Sequence, residues 1–299
     1  MSLGETSELA IVVAAVGYLV AFACHALEWA FARGLAPARP EDGSEDAARI
    51  RVDMYGRFGI AITVVTMLVN AVGVVSRGVA AGRAPWGNMY EFITSAVLVI
   101  VAAYLIAVWQ FSARWLGLGV TLLATVALGL AVTVFYVDVA PLVPALHSAW
   151  FIGHIVAAVI AGGGFNVAGI ASIFYLLRLR AEDSGEPIEG YLARVPNSTK
   201  LDVFAYRINA FSFLLWTFTV AAGAIWAQYA WGRFWNWDPK ETWSLVTWII
   251  YAAYLHARST AGWRGRRAAW IAVIGLISFW FNFIGVNLLF SGLHSYAGI

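Results

Sequence analysis

The sequence has a single cysteine, Cys24, in 299 residues. An internal disulfide, a Cys-x-x-Cys redox pair and a cysteine-based metal cluster are therefore excluded, and any thiol chemistry has to be brought by another molecule. Charge is scarce as well: Asp, Glu, Lys and Arg make up 12% of the chain against 61% apolar residues, too little to give a domain of this length a polar surface. No long basic run occurs, and the two longest polar segments, 33–57 and 178–203, mix both signs. They read as solvated connectors, which argues against nucleic acid as a partner. The start of the chain holds Glu5 and Glu8 before the first apolar run but no Lys or Arg, so a cleaved signal peptide is not expected. Neither an internal repeat nor a low-complexity segment is visible.

What is present is length in apolar runs. Crossing about 30 Å of hydrocarbon at about 1.5 Å per residue takes about 20 residues. Runs of that kind recur near 8–32, 58–76, 89–111, 116–137, 149–177, 204–230, 239–257 and 268–290. With the amino terminus outside, fifteen Lys and Arg fall in inner segments, while Arg77, Arg83, Arg233 and Lys240 fall outside. The positive-inside rule then favours an all-α integral membrane protein of about eight transmembrane helices, a single membrane domain over 1–299, with both termini on the outer side, periplasmic or lumenal.

One outer segment is unlike the rest. Trp231-Gly232-Arg233-Phe234-Trp235-Asn236-Trp237-Asp238-Pro239-Lys240-Glu241-Thr242-Trp243 follows the sixth span, and five of the fifteen tryptophans lie between 231 and 248. An interfacial belt would spread such rings over many helix ends. Concentrated beside Arg233 and Lys240, they suit a large planar ligand that carries carboxylates. Asp238, Pro239 and Glu241 also have a local job, since an N-cap, a first-turn proline and a capping-box acid are what the start of the seventh span requires.

The segment 231–243 resembles the tryptophan-rich WWD signature of the haem-handling proteins of cytochrome c biogenesis. Its Trp-Asp-Pro-Lys-Glu-Thr-Trp ending is similar to the CcsA (ResC) type of the Ccs system. Further elements carry the resemblance: Leu201-Asp202 with Tyr206-Arg207, Gly223-Ala224-Ile225-Trp226-Ala227, Leu255-His256-Ala257-Arg258, Gly292-Leu293-His294-Ser295-Tyr296, Pro141 to Leu146 leading to Trp150 and His154, and Pro85 to Glu91. It covers the last 160 residues well and the first 80 poorly. The resemblance implies transport of haem b to the outer membrane face and its covalent attachment to Cys-x-x-Cys-His apocytochromes c. It further implies a ResB/Ccs1-type membrane partner, as part of a holocytochrome c synthase (cytochrome c haem lyase) complex. A bacterial cytoplasmic membrane, or a thylakoid membrane, would be its place. Two other functions fit parts of the sequence: a haem exporter handing its cargo to a carrier, as CcmC proteins do, and a quinone- or proton-linked subunit using its histidines as a relay.

Five histidines exist, and depth separates them. His154 lies about one turn into the fifth span from its outer end, and His294 just beyond the outer end of the eighth, so both can face the aromatic segment. Imidazoles on opposite faces of a haem complete six-coordinate iron. The resemblance implies these two as the outer axial pair, with Trp231, Arg233, Trp235, Trp237, Asp238, Lys240 and Trp243 about the same haem. His256 lies roughly 26 Å below the outer surface, counting from Pro239, and the resemblance implies an inner haem ligand there. His25 reaches a similar depth in the first span and is the candidate inner partner of His256. The second inner histidine can equally come from the partner protein, and a His25 bonded to a neighbouring helix is the alternative. His147, where glutamine is the pattern of the family, reads as a solvated loop residue.

Overall fold

The computed structural model describes residues 2–33, 43–260 and 262–294, with the side chains of 43–46 outside that description. Ser295 and Tyr296, named above, and Arg39, one of the fifteen inner Lys and Arg, lie outside it. Among the described residues there is no strand. The chain forms α1 (Leu3–Ala32), α2 (Gly43–Ala81), α3 (Met89–Phe111), α4 (Gly117–Thr133), α5 (Ala149–Asp183), the short α6 (Tyr191–Arg194), α7 (Ser198–Trp231), α8 (Pro239–Ser259), α9 (Arg266–Trp280) and α10 (Val286–Leu289), with a π-helical turn over Phe281–Gly285 joining the last two. The all-helical expectation therefore holds.

Side chains that close the free N–H groups set the helix starts. Ser2 and Glu5 form a capping box on α1, Asn88 accepts from the N–H of Glu91 on α3, and Asn197 accepts from the N–H of Lys200 on α7. The helices overrun the apolar runs, because polar residues at their ends keep helical backbone beyond the hydrocarbon. Thus α5 continues to Asp183 and α7 starts at Ser198, so much of the expected inner connector 178–203 is helical.

Seven described helices are long and apolar enough to cross a bilayer: Leu3–Ala32, Ala47–Ala81, Met89–Phe111, Arg114–Thr133, Ala149–Asp183, Ser198–Trp231 and Arg266–Leu289. The remaining expected span, 239–257, is α8. Its 21 residues give it the length, but Lys240, Glu241, His256 and Arg258 make it the most polar of the set. Outward-facing Val12, Val16, Leu19, Val65, Leu68, Leu214 and Ile277 are exposed on the spanning helices, which lipid, not water, accommodates.

In the packing, α1 lies against α2 and α4, α3 bridges to α4 and α5, α5 seats on α7 and α9, and α8 packs against α7 and α9. Contacts bring both described chain ends to one end of the bundle. Ser7 donates to the Gly73 carbonyl at 2.7 Å, Arg77 to the Val137 carbonyl at 2.5 Å, Trp226 to the Ala145 carbonyl at 2.8 Å, and His294 to Asp238 at 2.9 Å. Most of the basic residues expected inside gather at the other end, where acids meet them. Arg114 pairs with Glu28 at 2.8 Å and Asp53 at 3.0 Å, Arg258 with Asp202 at 2.6 Å, and Arg266 with Asp183 at 2.5 Å.

Candidate haem site

At the outer-designated end, α7 stops at Gly232, whose φ of +71° turns the chain out of the helix. Six residues later Asp238 caps α8, with Pro239 in its first turn and Glu241 accepting from the Asp238 N–H at 3.2 Å. Glu241 also accepts from the Asn236 N–H at 2.9 Å, so the capping role read from sequence is what these acids do. Asp238 has a second task. Its oxygens accept from the Leu293 N–H at 2.8 Å and from His294 Nδ1 at 2.9 Å, which ties the tail to the start of α8. Burial would raise the Asp238 carboxyl, but the hydrogen bond and charge of His294, with the N–H groups of Leu293 and Lys240, outweigh it and hold it at about 2. The carboxylate is thus ionised at neutral pH.

His154, on α5, donates Nδ1–H to the Thr219 carbonyl of α7 at 2.8 Å. The approach needs Gly223 one turn on, where a Cβ would stand 2.7 Å from His154 Nδ1. In both histidines Nδ1 is committed to an acceptor, so the neutral form of each ring carries its proton on Nδ1 and its lone pair on Nε2, the tautomer in which an imidazole coordinates a metal. The two rings share a neighbour. Trp226 lies 5.8 Å from His154 at an interplanar angle of 28° and 5.6 Å from His294 at 69°. Trp231 completes the group, 4.9 Å from both Trp226 and His294.

Both histidines line one cavity between α3, α5, α7, α8 and α9 that holds about 1240 Å³ of free space, its open mouth included. Its walls are chiefly apolar, with Met89, Phe92, Phe151, Trp216 and Phe279 among them; Trp235 also lines it, and Lys240 is its one Lys or Arg. Lys240 Nζ donates to the Phe283 carbonyl at 3.2 Å, inside the π-helical turn.

Of the remaining expected residues, Trp231, Arg233, Trp237, Asp238 and Trp243 are not part of the cavity lining. Arg233 lies over the Trp231 ring at 5.8 Å and 3.7 Å from Glu241, and Trp243 packs on Phe281 at 4.3 Å. Trp237 is 68% exposed, has a φ of +58°, and meets Trp235 edge-on at 5.8 Å. Trp226 and the carbonyl of Thr219 were not marked as site residues by sequence. The only signal for Trp226 was its place in the Gly223–Ala227 element.

His25 and His256 are not brought together. His25 is fully buried in the packing of α1, α2 and α4, with Nδ1 3.3 Å from Glu28. Its Nε2 edge is enclosed by backbone: a Cβ would come within 2.7 Å of it at Gly59 and 2.5 Å at Gly117. His256 is exposed on α8, which packs against α7 and α9. Equal depth gave no lateral proximity, because depth is one coordinate and packing fixes the other two. His147 is exposed in the loop before α5, as expected.

The chain matches the family described as "Cytochrome C assembly protein" over residues 86–294. Among curated relatives, the cytochrome c biogenesis protein CcsA of Synechococcus sp. (strain JA-3-3Ab) is 32% identical, covering 84% of this chain and 88% of that protein. The CcsA of Guillardia theta is 33% identical over 81% and 84%, respectively. Among solved structures, Cytochrome c Heme Lyase CcmF superposes with a TM-score of 0.65 at 14% identity, covering 98% of this chain. The chain spans about half the length of that structure, 48% of it, so the likeness is one of fold. With the family match over most of the chain and two relatives above 30% identity, this protein belongs to the cytochrome c assembly family, among the CcsA-type cytochrome c biogenesis proteins.

Proposed function

We propose that this membrane protein receives haem b as cargo, holds it at the outer face in the cavity between α5, α7 and α8, and presents it to apocytochrome c for covalent attachment. The observation that carries this reading is the pair His154 and His294, each with Nδ1 committed and both lining one cavity. The cavity walls suit the porphyrin faces, Lys240 and Arg233 suit its carboxylates, and the iron would take the two Nε2 atoms. The thiols belong to the Cys-x-x-Cys-His substrate and add across the vinyl groups. No side chain of this protein has to act as nucleophile; the chain supplies position and orientation.

The segregation of Lys and Arg supports outer-facing termini and eight spans, α8 among them, since α8 has the length to cross and its N-terminus borders the cavity. His256, exposed on α8, is open to a second ligand from a ResB-type partner, and that placement favours the partner over His25 as its source. The test is spectroscopic: the purified protein with its partner should show a low-spin, six-coordinate haem in pyridine haemochrome-calibrated spectra. His154→Ala and His294→Ala should each remove the outer low-spin signal and abolish haem attachment to a Cys-x-x-Cys-His peptide. Attachment that persists in the double variant would refute the assignment.

A further inference from the structure

The outer-designated end holds a second set of charges that the haem reading does not use. Glu91, fully buried in the first turn of α3, receives Arg77 Nε at 3.0 Å, Arg83 NH1 at 2.7 Å and the Gly87 N–H at 2.7 Å. Both guanidiniums then reach past it to the loop between α4 and α5. Arg77 donates to the Val137 carbonyl at 2.5 Å and Arg83 to the Ala140 carbonyl at 2.9 Å. A planar guanidinium with one edge on a carboxylate has its other edge aimed, so the cluster fixes where these two carbonyls stand.

The same loop ends on the cavity wall. Its Ala145 carbonyl accepts from Trp226 Nε1 at 2.8 Å, and Leu146 packs with Trp226, Phe151 and Ile155. Trp226 in turn is the ring in contact with both histidines. One unbroken series of contacts therefore runs from the ion cluster, through loop 134–148, to the two imidazoles. We propose that Arg77, Arg83 and Glu91 are positioning residues for the outer haem site, holding loop 134–148 so that Ala145 fixes Trp226 against His154 and His294. This rests on the haem reading of the cavity given above. A cluster that only closed the ends of α2 and α3 would affect stability and leave iron ligation alone.

The test uses the full chain with its partner and the variants Glu91→Gln, Arg83→Gln and Trp226→Phe, with Arg83→Lys as the conservative change. In haem-free protein, amide hydrogen exchange over 137–146 should quicken about tenfold in Glu91→Gln and Arg83→Gln, the loss of one hydrogen bond to a charged group. In haem-loaded protein, the low-spin fraction per bound haem should fall in Glu91→Gln, Arg83→Gln and Trp226→Phe, recover with added imidazole, and fall less in Arg83→Lys, whose ammonium keeps the charge but not the fork. Quickened exchange with an unchanged low-spin fraction would overturn the proposal, as would unchanged exchange. A wild-type protein without low-spin haem defeats the haem reading itself, while the exchange result still decides whether the cluster tethers the loop. Should Glu91→Gln fail to fold, Arg83→Gln and Trp226→Phe carry both arms.

Discussion

Gly223 is the residue on which the reach of His154 depends, since a methyl group there would stand 2.7 Å from His154 Nδ1 and 2.8 Å from Cε1. The ring would have to retreat from α7 and give up the Thr219 carbonyl. Gly223→Ala is expected to weaken haem retention about tenfold, the scale of losing a partner that orients a ligand, with little change in helix content; titration of haem into the purified protein measures it. Asp238 allows a cleaner separation, because it both caps α8 and holds His294. Asparagine is about as good an N-cap as aspartate, within about 0.5 kcal/mol, but lacks the charge. Asp238→Asn should thus leave thermal stability nearly unchanged and still lower the low-spin fraction. Asp238→Ala should lower both, the cap alone being worth about 1 kcal/mol. Equal loss of stability in the two variants would show that the charge, not the cap, matters here. Part of this was legible in the sequence. His154, His294 and the capping role of Asp238 and Glu241 followed from depth and helix-start rules, whereas Gly223, Thr219 and Trp226 act through a backbone carbonyl, an absent methyl group and a shared wall, none of which leaves a chemical signature in a residue string.

At the scale of elements, α7 and α8 form a hairpin closed at both ends. The aromatic segment closes one, and Arg258 closes the other with two bonds to Asp202, at 2.6 and 2.8 Å, while lying over the Tyr206 ring at 4.6 Å. Arg258 is 8% exposed, so its removal strands a carboxylate in a poorly hydrated place. Arg258→Ala is expected to destabilise the protein by roughly 3 kcal/mol. Arg258→Lys should recover only part of this, because an ammonium cannot reproduce the fork. Thermal unfolding in detergent checks the order, and Arg258→Lys equal to wild type would contradict it. The helices themselves were readable, α3 to the residue, because a run of apolar residues in lipid has no alternative to internal hydrogen bonding. Their ends were not, since Asp183, Ser198 and Arg266 continue helices outside the apolar stretch and periodicity carries no information there. The π-helical turn at Phe281–Gly285, whose Phe283 carbonyl receives Lys240, has no sequence pattern of its own.

The whole molecule divides its charge by end, and that division predicts which side of the membrane the proposed haem cavity faces. The acids Glu28, Asp53, Asp183 and Asp202 meet Arg114, Arg194, Arg266 and Arg258 at one end. The cavity, with Trp235 and His294 in its lining, belongs to the end that also gathers Arg77, Arg83 and Glu91. Lys and Arg resist translocation, so the end richer in them is expected to stay in the compartment of synthesis, with the cavity at the other. Two exposed positions test this, Phe234 in the aromatic segment before α8 and Glu186 in the loop after α5. In a Cys24→Ala background, Phe234→Cys should react with a membrane-impermeant maleimide in intact cells or right-side-out vesicles. Glu186→Cys should react only after the membrane is opened. The opposite pattern would put the mouth on the side where haem is made; such an orientation is incompatible with presentation at the outer face however well the two imidazoles are set, because the cavity would then have nothing to export.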